Sequence, residues 1–373
     1  MWTGNARGWL LKNCCSAASR KRPPLVYFTI IEGEPHILGI IDAMIAAGLP
    51  PEIARRLDAE LSKLTGRARS QAPDLSYLRG KRVLVTGAGG SIGSELARQL
   101  WHAQLEELVL LDRDESALHA LQLQLEGRAL MTSDELALCS IRDLDALENI
   151  FAAHRPQIVF HAAALKHLPL LEKFPAEAYK TNTLGTANVL QASRHAERLV
   201  NISTDKAAAP SSALGKSKYL AERLTAAYGK GKAYASVRFG NLLASRGSVV
   251  HSLYHQIVRE RPVTITHPQA KRYLMTISEA CSLLLEAARL GRDGQVLAMR
   301  MGNQVGVLEL ARTLMDILGR EAPVEYTGLR EGEKLSEQLF SPTEQPVAGP
   351  CPNLLSCQVP PLLPDQLSGL STS

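Results

Sequence analysis

The sequence predicts an α/β fold in which a doubly wound, mostly parallel β-sheet carries helices on both faces. From Gly80 onward, short apolar runs alternate with amphipathic segments, and this alternation is typical of parallel sheets with right-handed crossovers. The first apolar run leads into a glycine-rich turn that opens a helix, which is the second indication. The length of 373 residues and the hydrophobic content of 45% are sufficient for one large domain or two ordinary ones.

The elements follow one another in a regular order. Each expected strand is a short, mainly apolar run, and each expected helix has apolar side chains three or four positions apart. The expected strands are Arg82–Thr86, Glu107–Leu111, Leu136–Ser140, Gln157–His161, Leu199–Ser203 and Ala235–Phe239. The expected helices between them are Ser91–His102, Leu144–His154, Ala176–His195 and Ser217–Tyr228.

Four regions are expected along the chain. Residues 1–79 form a partly helical N-terminal extension, because residues 51–64 have apolar side chains at helical spacing. Residues 80–240 form the doubly wound, dinucleotide-binding domain, and residues 241–340 form a smaller substrate-binding region. Residues 341–373 are rich in Pro and Ser and poor in charge, which predicts a disordered tail.

Charge and cysteine usage exclude several classes of protein. The net charge is +5, with acidic and basic residues mixed along the chain, which favours an enzyme surface over a nucleic-acid binder. The six cysteines lack zinc-ribbon spacing and are typical of reduced thiols. No stretch has the roughly 20 mainly apolar residues of a membrane span. We therefore expect a cytoplasmic protein with no metal site and no transmembrane segment.

The sharpest local motif is a glycine pattern at the end of the first strand. Gly87, Gly90 and Gly93 are spaced G-x-x-G-x-x-G between an apolar strand and a helix. The first glycine permits the tight turn, the second lets the backbone approach a pyrophosphate, and the third lets the helix pack closely on the strand. The helix N-terminus offers free N–H groups to the phosphates. This combination predicts a Rossmann-like fold that binds a dinucleotide.

Two adjacent charged residues bear on the choice of cofactor. Asp112 lies nineteen residues after Gly93, at the end of the next strand, where a carboxylate accepts hydrogen bonds from the adenosine ribose hydroxyls and favours NAD. Arg113 follows directly and would instead hold the 2′-phosphate of NADP. We expect NAD and keep NADP as the alternative.

Three further motifs follow in chain order: His161-Ala-Ala-Ala-Leu-Lys166, Ser203-Thr-Asp-Lys206 and Leu214-Gly-Lys-Ser-Lys218. Together with the glycine pattern they resemble the extended short-chain dehydrogenases/reductases. More narrowly, they resemble the UDP-N-acetylglucosamine 4,6-dehydratases of the polysaccharide-biosynthesis type. The resemblance extends from about Tyr77 to Pro342. The N-terminal extension departs from the larger, membrane-attached subtype because it has no stretch like the transmembrane helices of that subtype, so we expect a soluble form or a truncated relative. We also expect a homo-oligomer.

The resemblance implies a redox-neutral reaction on a UDP-sugar. Hydride moves from sugar carbon 4 to the nicotinamide, water is eliminated across carbons 5 and 6, and hydride returns to carbon 6. By the Thr-Asp-Lys match, Asp205 would protonate the departing hydroxyl, Lys206 would abstract the carbon 5 proton, and Thr204 would hydrogen-bond near the sugar. For Lys206 to act as a base its pKa must fall, which burial or a cation such as Lys218 would cause.

The main departure from the family pattern is Leu214. Lys218 matches the lysine of the Tyr-x-x-x-Lys pair, which holds the nicotinamide ribose, but leucine occupies the tyrosine position. Dehydratases of the larger subtype have methionine there, so an apolar residue is compatible with the resemblance. A smaller departure is Ser140, where the family has an aspartate contacting adenine, although Arg142 and Asp143 are kept.

The resemblance also implies further contacts, residue by residue. The implied cofactor contacts are Gly87, Gly90, Ser91, Ile92, Gly93, Asp112, Arg113, Asp143, Ala162, Ala163 and Lys218. The implied substrate contacts are Lys166, Asn241, Arg246, Arg272, Arg330 and Glu333. The guanidinium forks in this set suit the phosphate oxygens of a UDP-sugar.

Two other functions stay open on the sequence. A UDP-sugar 4-epimerase would use the same cofactor and first step, but it needs a true Tyr-x-x-x-Lys pair and does not need Asp205 and Lys206. A catalytically silent dinucleotide-binding protein would be compatible with Leu214 and Ser140. The Thr-Asp-Lys motif favours the dehydratase, which is a lyase.

Overall fold

The computed structural model describes residues 49–67, 72–243, 245 and 247–369. The strands are β1 (Arg82–Thr86), β2 (Glu107–Asp112), β3 (Leu136–Leu138), β4 (Ile158–His161), β5 (Arg198–Ile202), β6 (Ala233–Arg238), β7 (Asn241–Leu243), β8 (Val263–Ile265), β9 (Lys271–Arg272), β10 (Leu274–Thr276), β11 (Gln295–Met299), β12 (Val305–Gly306), β13 (Val324–Tyr326), β14 (Val347–Ala348) and β15 (Leu354–Cys357). The α-helices are α1 (Pro51–Thr65), α2 (Ser91–Leu100), α3 (Glu115–Glu126), α4 (Leu144–His154), α5 (Leu168–Lys173), α6 (Pro175–Ala178), α7 (Gly185–Ala192), α8 (Ala213–Tyr228), α9 (Val249–Val258), α10 (Ile277–Leu290) and α11 (Val307–Leu318). None of the helices within these described ranges is both long and apolar enough to cross a membrane.

Nine strands form the central sheet, in the order β14-β15-β11-β6-β5-β4-β1-β2-β3. The strands from β3 to β11 pair in parallel, whereas β15 and β14 are added antiparallel at one edge. After β1, the chain adds β2 and β3 on one side of β1, and then crosses to add β4, β5 and β6 on the other side. The strand order therefore switches between β1 and β4. Ligands of doubly wound sheets bind in the crevice at such a switch point, outside the carboxyl ends of the strands. The predicted Rossmann-like fold is confirmed.

The sheet is buried on both faces, which explains why its strands are continuous apolar runs. In β1, Val83 and Val85 pack into the cluster on one face, and Leu84 packs into the cluster on the other. All three side chains are fully buried. Each such burial contributes roughly 1.5–3 kcal/mol, so β1 is held firmly and its carboxyl end is a rigid base for the glycine turn.

The predicted regions are not separate units in the structure, because contacts cross the predicted boundaries at residues 79 and 240. Helix α1 packs on α9 and α11 in an apolar cluster of the substrate-side region, so the described part of the N-terminal extension is integrated into the fold. Arg67, just after α1, makes two short contacts with Glu279 of α10, at 2.8 and 2.5 Å. Beyond residue 240 the chain also returns to the central sheet through β11.

The prediction of a disordered tail is wrong for residues 341–369. This segment contributes β14 and β15, and β15 pairs antiparallel with β11. Leu354 and Cys357 are buried there, and Glu344 lies 2.7 Å from the fully buried guanidinium of Arg238. Pairing with a distant strand and a buried charge therefore orders a segment whose composition alone favours disorder. Residues 370–373 lie outside the described residues.

The expected helix Ala176–His195 is divided into α6, a π-helical stretch at Tyr179–Leu184, α7 and a 3₁₀ turn at Ser193–His195. The π-helical stretch carries Asn182, whose amide makes two hydrogen bonds to the backbone of Leu165, at 2.8 and 3.0 Å. Such π-helical turns are frequent at functional sites. Here the turn fastens the loop after β4, which borders the crevice.

Candidate active site

The glycine turn after β1 leaves no room for side chains. Gly87 has φ +68°, and a Cβ added there would lie 2.6 Å from the Ala163 nitrogen. A Cβ at Gly93 would lie 2.1 Å from the Gly87 oxygen. Gly90 is the N-cap residue of α2, and no side chain caps this helix. The turn therefore presents bare backbone and a helix N-terminus, which is an arrangement suited to phosphate.

A cleft with a volume of about 230 Å³ lies beside this turn, at the carboxyl ends of β1, β2 and β4. Asp112 closes one side of it, where its carboxylate accepts hydrogen bonds from the backbone nitrogens of Gly89 at 2.8 Å and Asp114 at 3.0 Å. A carboxylate has about four acceptor positions, so Asp112 keeps capacity for ribose hydroxyls. The bare turn and this carboxylate fit a dinucleotide.

The predicted cofactor residues are only partly brought together. The cleft is lined by six of them, namely Gly87, Gly90, Asp112, Arg113, Ala162 and Ala163, and also by Ser140 and Arg142. The first turn of α2, which follows the N-cap residue Gly90, contains three further predicted residues, Ser91, Ile92 and Gly93. Asp143 caps α4 by accepting a hydrogen bond from the Ala146 nitrogen at 3.0 Å, and it is not among the residues that line the cleft. The structure thus assigns Asp143 a helix-capping role.

Asp205 and Lys206 lie in a 3₁₀ turn directly after β5, the strand beside β4. Thr204 caps this turn, and its hydroxyl donates to Asp205 Oδ1 at 2.9 Å. Lys206 Nζ donates to the same oxygen at 3.0 Å and to Asn241 Oδ1 at 3.2 Å. The Asp205 side chain is fully buried. The three residues of the Thr-Asp-Lys motif therefore form one hydrogen-bonded group at the carboxyl edge of the sheet.

The pKa of Lys206 differs in direction from the sequence expectation. Burial alone would lower this pKa, but the carboxylates of Asp205 and Glu337 raise it by more, and the net pKa is above the ordinary lysine value. Lys206 is therefore an ammonium at neutral pH in the free protein. A proton has to move away from its Nζ before it can act as a base.

Asp205 Oδ2 is a buried acceptor that has no hydrogen-bond partner among the described residues. Leaving such an oxygen unpaired costs about 1–3 kcal/mol, and more for a charged group. The other oxygen of the carboxylate is fully engaged by Thr204 and Lys206. A hydroxyl of a bound molecule would satisfy the free oxygen, so this atom is a candidate contact point for substrate.

Lys218 and Leu214 lie one turn apart on α8. Lys218 is 5% exposed, and burial lowers its pKa to about 8. Leu214 packs against Leu168, Leu171 and Ala178 in an apolar cluster. The position four residues before Lys218, where the Tyr-x-x-x-Lys pair has its tyrosine, thus has no hydroxyl and is filled by packing.

His161 links the ends of β4 and β1 beside the cleft. Its Nδ1 lies 2.8 Å from the Thr86 hydroxyl and its Nε2 lies 2.9 Å from the Thr186 hydroxyl. Burial, and to a smaller extent the charge of Lys218, lowers the pKa of His161 to about 3. The imidazole is therefore neutral at physiological pH and acts as a hydrogen-bonded brace.

The predicted substrate residues are distributed unevenly around this centre. Asn241 contacts Lys206 directly, and Arg272 is close enough for its charge to lower the pKa of Lys206. Lys166 is exposed in the loop after β4. Arg330 is exposed, and its backbone nitrogen donates to Glu333 Oε2 at 3.2 Å, so Glu333 stabilises its own turn. Arg246 lies outside the described residues.

Glu337 is the residue of this centre that sequence reasoning missed. It belongs to the C-terminal arm, which we define as residues 328–357. Its Oε1 lies 3.6 Å from Lys206 Nζ, and its side chain is 4% exposed. The signal in the sequence was the Glu-Lys-Leu-Ser-Glu run from Glu333 to Glu337, of which only Glu333 was assigned to the site.

Comparisons with known proteins agree with this arrangement. The sequence matches the family described as polysaccharide biosynthesis protein over residues 83–358. It is 41% identical to the probable polysaccharide biosynthesis protein EpsC of Bacillus subtilis over 277 residues, which cover 72% of this chain and 46% of that protein. The chain thus spans about half the length of EpsC. It is also 33% identical over 273 residues to a UDP-glucose 4-epimerase of Rickettsia prowazekii, covering 70% of this chain and 78% of that protein.

Solved structures share the fold of this chain. The X-ray structure of Pen from Bacillus thuringiensis superposes with a TM-score of 0.69 and 25% identity, covering 79% of this chain and 98% of that chain. DesIV, a dTDP-glucose 4,6-dehydratase from Streptomyces venezuelae solved with NAD, superposes with a TM-score of 0.60 at 21% identity over 69% of this chain and 88% of that chain. The latter shows a shared fold. With the glycine turn, the Thr-Asp-Lys group and Lys218 in place, the chain belongs to the polysaccharide biosynthesis protein family of extended short-chain dehydrogenases/reductases.

Proposed function

We propose that the protein is a nucleotide-sugar 4,6-dehydratase that acts on a UDP-N-acetylglucosamine-like substrate. The observation that carries this proposal is the Asp205–Lys206 pair, at the same edge of the sheet as the dinucleotide cleft. Its carboxylate is buried, and Asp205 Oδ2 has no partner in the described part of the chain. Elimination of water needs an acid and a base close together, and this pair supplies both. Oxidation and reduction at carbon 4 alone move only the carbon 4 hydroxyl proton and eliminate no water, so they do not need this pair.

The protons balance within the pair. Transfer of one proton from Lys206 Nζ to Asp205 Oδ1, across 3.0 Å, gives a neutral amine and a neutral carboxyl with no net gain of protons. In the 4-keto sugar, the amine then takes the carbon 5 proton, and the electrons of that bond form the carbon 5–carbon 6 double bond. The carbon 6–oxygen bond breaks, and the carboxyl gives its proton to the departing oxygen as water forms. The pair ends as it began, as an ammonium and a carboxylate.

A bound dinucleotide would supply the hydride chemistry, taking hydride from carbon 4 and returning it at carbon 6. The Lys206 ammonium would then return a proton to carbon 5, and the proton released from the carbon 4 hydroxyl would restore the ammonium. Gly87 and Gly90 would hold its phosphates, and Asp112 would hold the adenosine ribose hydroxyls. NAD is favoured because the Asp112 carboxylate faces the cleft, and Arg113 keeps NADP as the alternative. Lys218, with a pKa of about 8, would hold the nicotinamide ribose and assist the proton at the carbon 4 hydroxyl.

The remaining sequence predictions extend this proposal. Arg272 lies beside the Asp205–Lys206 pair, so it would contact the anionic part of the substrate. A role in polysaccharide or glycan synthesis, a cytoplasmic location and a homo-oligomeric state stay predictions.

A UDP-sugar 4-epimerase is the second candidate, because relatives at 33% identity carry that name. Both enzymes oxidise the carbon 4 hydroxyl, and Leu214 offers no group for its proton in either, so this position does not separate them. The Asp205 carboxylate and the Lys206 ammonium would have no task in an epimerase. This second point favours the dehydratase. A catalytically silent binding protein would likewise give no use to Asp205 Oδ2, which has no hydrogen-bond partner within the described ranges.

Mass spectrometry of the reaction mixture separates the three functions. Full-length protein is incubated with NAD and UDP-N-acetylglucosamine, alongside Lys206→Ala and the exposed control Lys216→Ala. Loss of one water in the wild-type and Lys216→Ala reactions, and at least about a 10²-fold slower loss in Lys206→Ala, supports the dehydratase. A product of unchanged mass supports the epimerase, and no product over hours supports the binding protein. Wild-type turnover by Lys206→Ala would contradict the base assignment.

A further inference from the structure

We propose that Glu337 of the C-terminal arm is a positioning residue that holds the Lys206 ammonium against Asp205 and Asn241. The catalytic use of this contact rests on the proposed function, in which Lys206 is the base. The contact itself is a property of the free protein and can be tested without substrate.

Three oxygens from three separate segments surround Lys206 Nζ. Asp205 Oδ1 lies at 3.0 Å, Asn241 Oδ1 at 3.2 Å and Glu337 Oε1 at 3.6 Å. The first two distances are hydrogen bonds, and the third is an ion pair. An ammonium has three protons and a flexible four-carbon stem. One partner leaves its direction open, whereas three partners from separate segments restrict it.

Glu337 is held in place through its backbone. Gln304 Nε2 donates to the Glu337 carbonyl at 2.9 Å. On either side, the Leu335 carbonyl accepts from the Lys271 nitrogen at 2.8 Å, and the Leu339 carbonyl accepts from Arg238 Nη1 at 3.0 Å. The arm therefore presents this carboxylate to Lys206 from a fixed position.

The charges around Lys206 show why a second carboxylate matters. Burial lowers the pKa of Lys206, the carboxylates of Asp205 and Glu337 raise it, and the charge of Arg272 lowers it to a smaller extent. The net pKa is above the ordinary lysine value. Glu337 is buried, and within the described ranges Lys206 is the only cation at ion-pair distance from it. A buried carboxylate without a partner is costly, so the two groups stabilise each other. When Lys206 gains the carbon 5 proton, Glu337 stabilises the ammonium that forms.

Competitive labelling tests the contact directly. Full-length protein is treated with trace acetic anhydride over a range of pH, and the acetylated fraction of each lysine is read by peptide mass spectrometry. Below its pKa, Lys206 is expected to label at least about tenfold faster in Glu337→Gln than in the wild type, because an opposite charge this close shifts the equilibrium by that factor or more. Glu337→Asp keeps the charge and should label more slowly than Glu337→Gln.

Glu344→Gln is the matched control. Glu344 is a second buried carboxylate of the C-terminal arm, but it pairs with Arg238 at 2.7 Å. Glu344→Gln should accelerate Lys206 labelling far less than Glu337→Gln does, because the charge that it removes faces Arg238 and not Lys206. If Glu344→Gln accelerates labelling as much as Glu337→Gln does, or if neither does, the positioning role is overturned.

A wild-type measurement covers the case in which Glu337→Gln does not fold. The labelling midpoint of Lys206 is expected above the ordinary lysine value of 10.5, and a midpoint at or below that value would overturn the proposal. Failure of the dehydratase assay with intact labelling differences would remove the proposed function and leave the Glu337 contact standing.

Discussion

At the scale of single residues, the site depends on two lysines whose pKa values move in opposite directions. Lys206 has two carboxylate neighbours that outweigh its burial, so its pKa is raised. Lys218 is buried with less compensation from Glu222, and its pKa is lowered to about 8. The first lysine is therefore charged at rest, whereas the second can lose its proton near the pH at which enzymes work.

The Lys218 shift predicts a specific pH dependence of stability. The unfolded chain keeps this proton up to the ordinary lysine pKa of 10.5, whereas the folded protein releases it near pH 8. The unfolded state thus binds more protons between these values, and the free energy of unfolding contributed by Lys218 rises with pH through this window. The rise should reach about 3 kcal/mol, at 1.36 kcal/mol per pKa unit.

Urea unfolding of the wild type and Lys218→Met at several pH values measures this contribution. Other groups also titrate in the window, so the difference between the two proteins is the informative quantity. We expect the stability advantage of Lys218→Met to shrink as the pH rises from about 8 to about 10.5. A difference that stays constant over this range would mean that Lys218 titrates normally.

At the scale of elements, the β1–α2 turn predicts unequal effects of two glycine substitutions. Gly87 and Gly80 both have φ +68°, but a Cβ at Gly80 meets nothing within 4 Å, whereas one at Gly87 meets Ala163 backbone at 2.6 Å. The left-handed conformation costs a non-glycine residue about 1–2 kcal/mol. Gly80→Ala should show this cost alone, and Gly87→Ala should show it together with a steric clash.

Calorimetric binding of NAD to the two variants checks this comparison. Gly80→Ala should bind NAD as the wild type does, because Gly80 lies before β1 and away from the cleft. Gly87→Ala should bind at least about tenfold more weakly, which is a loss of about 1.4 kcal/mol. Equal affinities in the two variants would show that the turn does not hold the dinucleotide.

At the scale of the whole molecule, the C-terminal arm joins the edge of the sheet to the catalytic centre. Arg238 of β6 is fully buried between Glu222 of α8 and Glu344 of the arm. The Ser203 hydroxyl, two residues before Asp205, donates to Glu222 Oε1 at 2.6 Å. One buried network therefore connects the arm, α8 and the segment that carries the Thr-Asp-Lys group.

Removal of one carboxylate from this network should destabilise the whole fold. Glu344→Ala is expected to lower the free energy of unfolding by about 2–3 kcal/mol, because charged hydrogen bonds to a buried guanidinium are lost. The exposed control Glu321→Ala should change it by less than about 0.5 kcal/mol. Chemical denaturation measures both, and equal values would contradict the integration of the arm into the core.

The sequence was informative where local pattern decides the structure. Helix α4 has the expected bounds, and the glycine turn lies between a strand and a helix as expected. Both depend on residues that are close in the chain: apolar side chains at helical spacing, and glycines that permit the tight turn. Long-range contacts were not visible in the sequence. Glu337 lies 3.6 Å from Lys206 although the two are far apart in the chain. Burial lowers the pKa of Lys206, and Glu337 adds to the larger effect of Asp205 in raising it above the ordinary value. Residues 341–369 are ordered by β11 and Arg238, which the local Pro and Ser content does not reveal.

The central claim is that the Asp205–Lys206 pair removes the proton at sugar carbon 5. Its most direct test is the reaction with UDP-N-acetylglucosamine and NAD in D₂O, with deuterium at carbon 5 of the product measured by NMR. The wild type should place solvent deuterium on carbon 5, and Lys206→Ala should not, while both retain bound NAD. Deuterium at carbon 5 in Lys206→Ala at the wild-type rate, or its absence from a dehydrated wild-type product, would contradict the account.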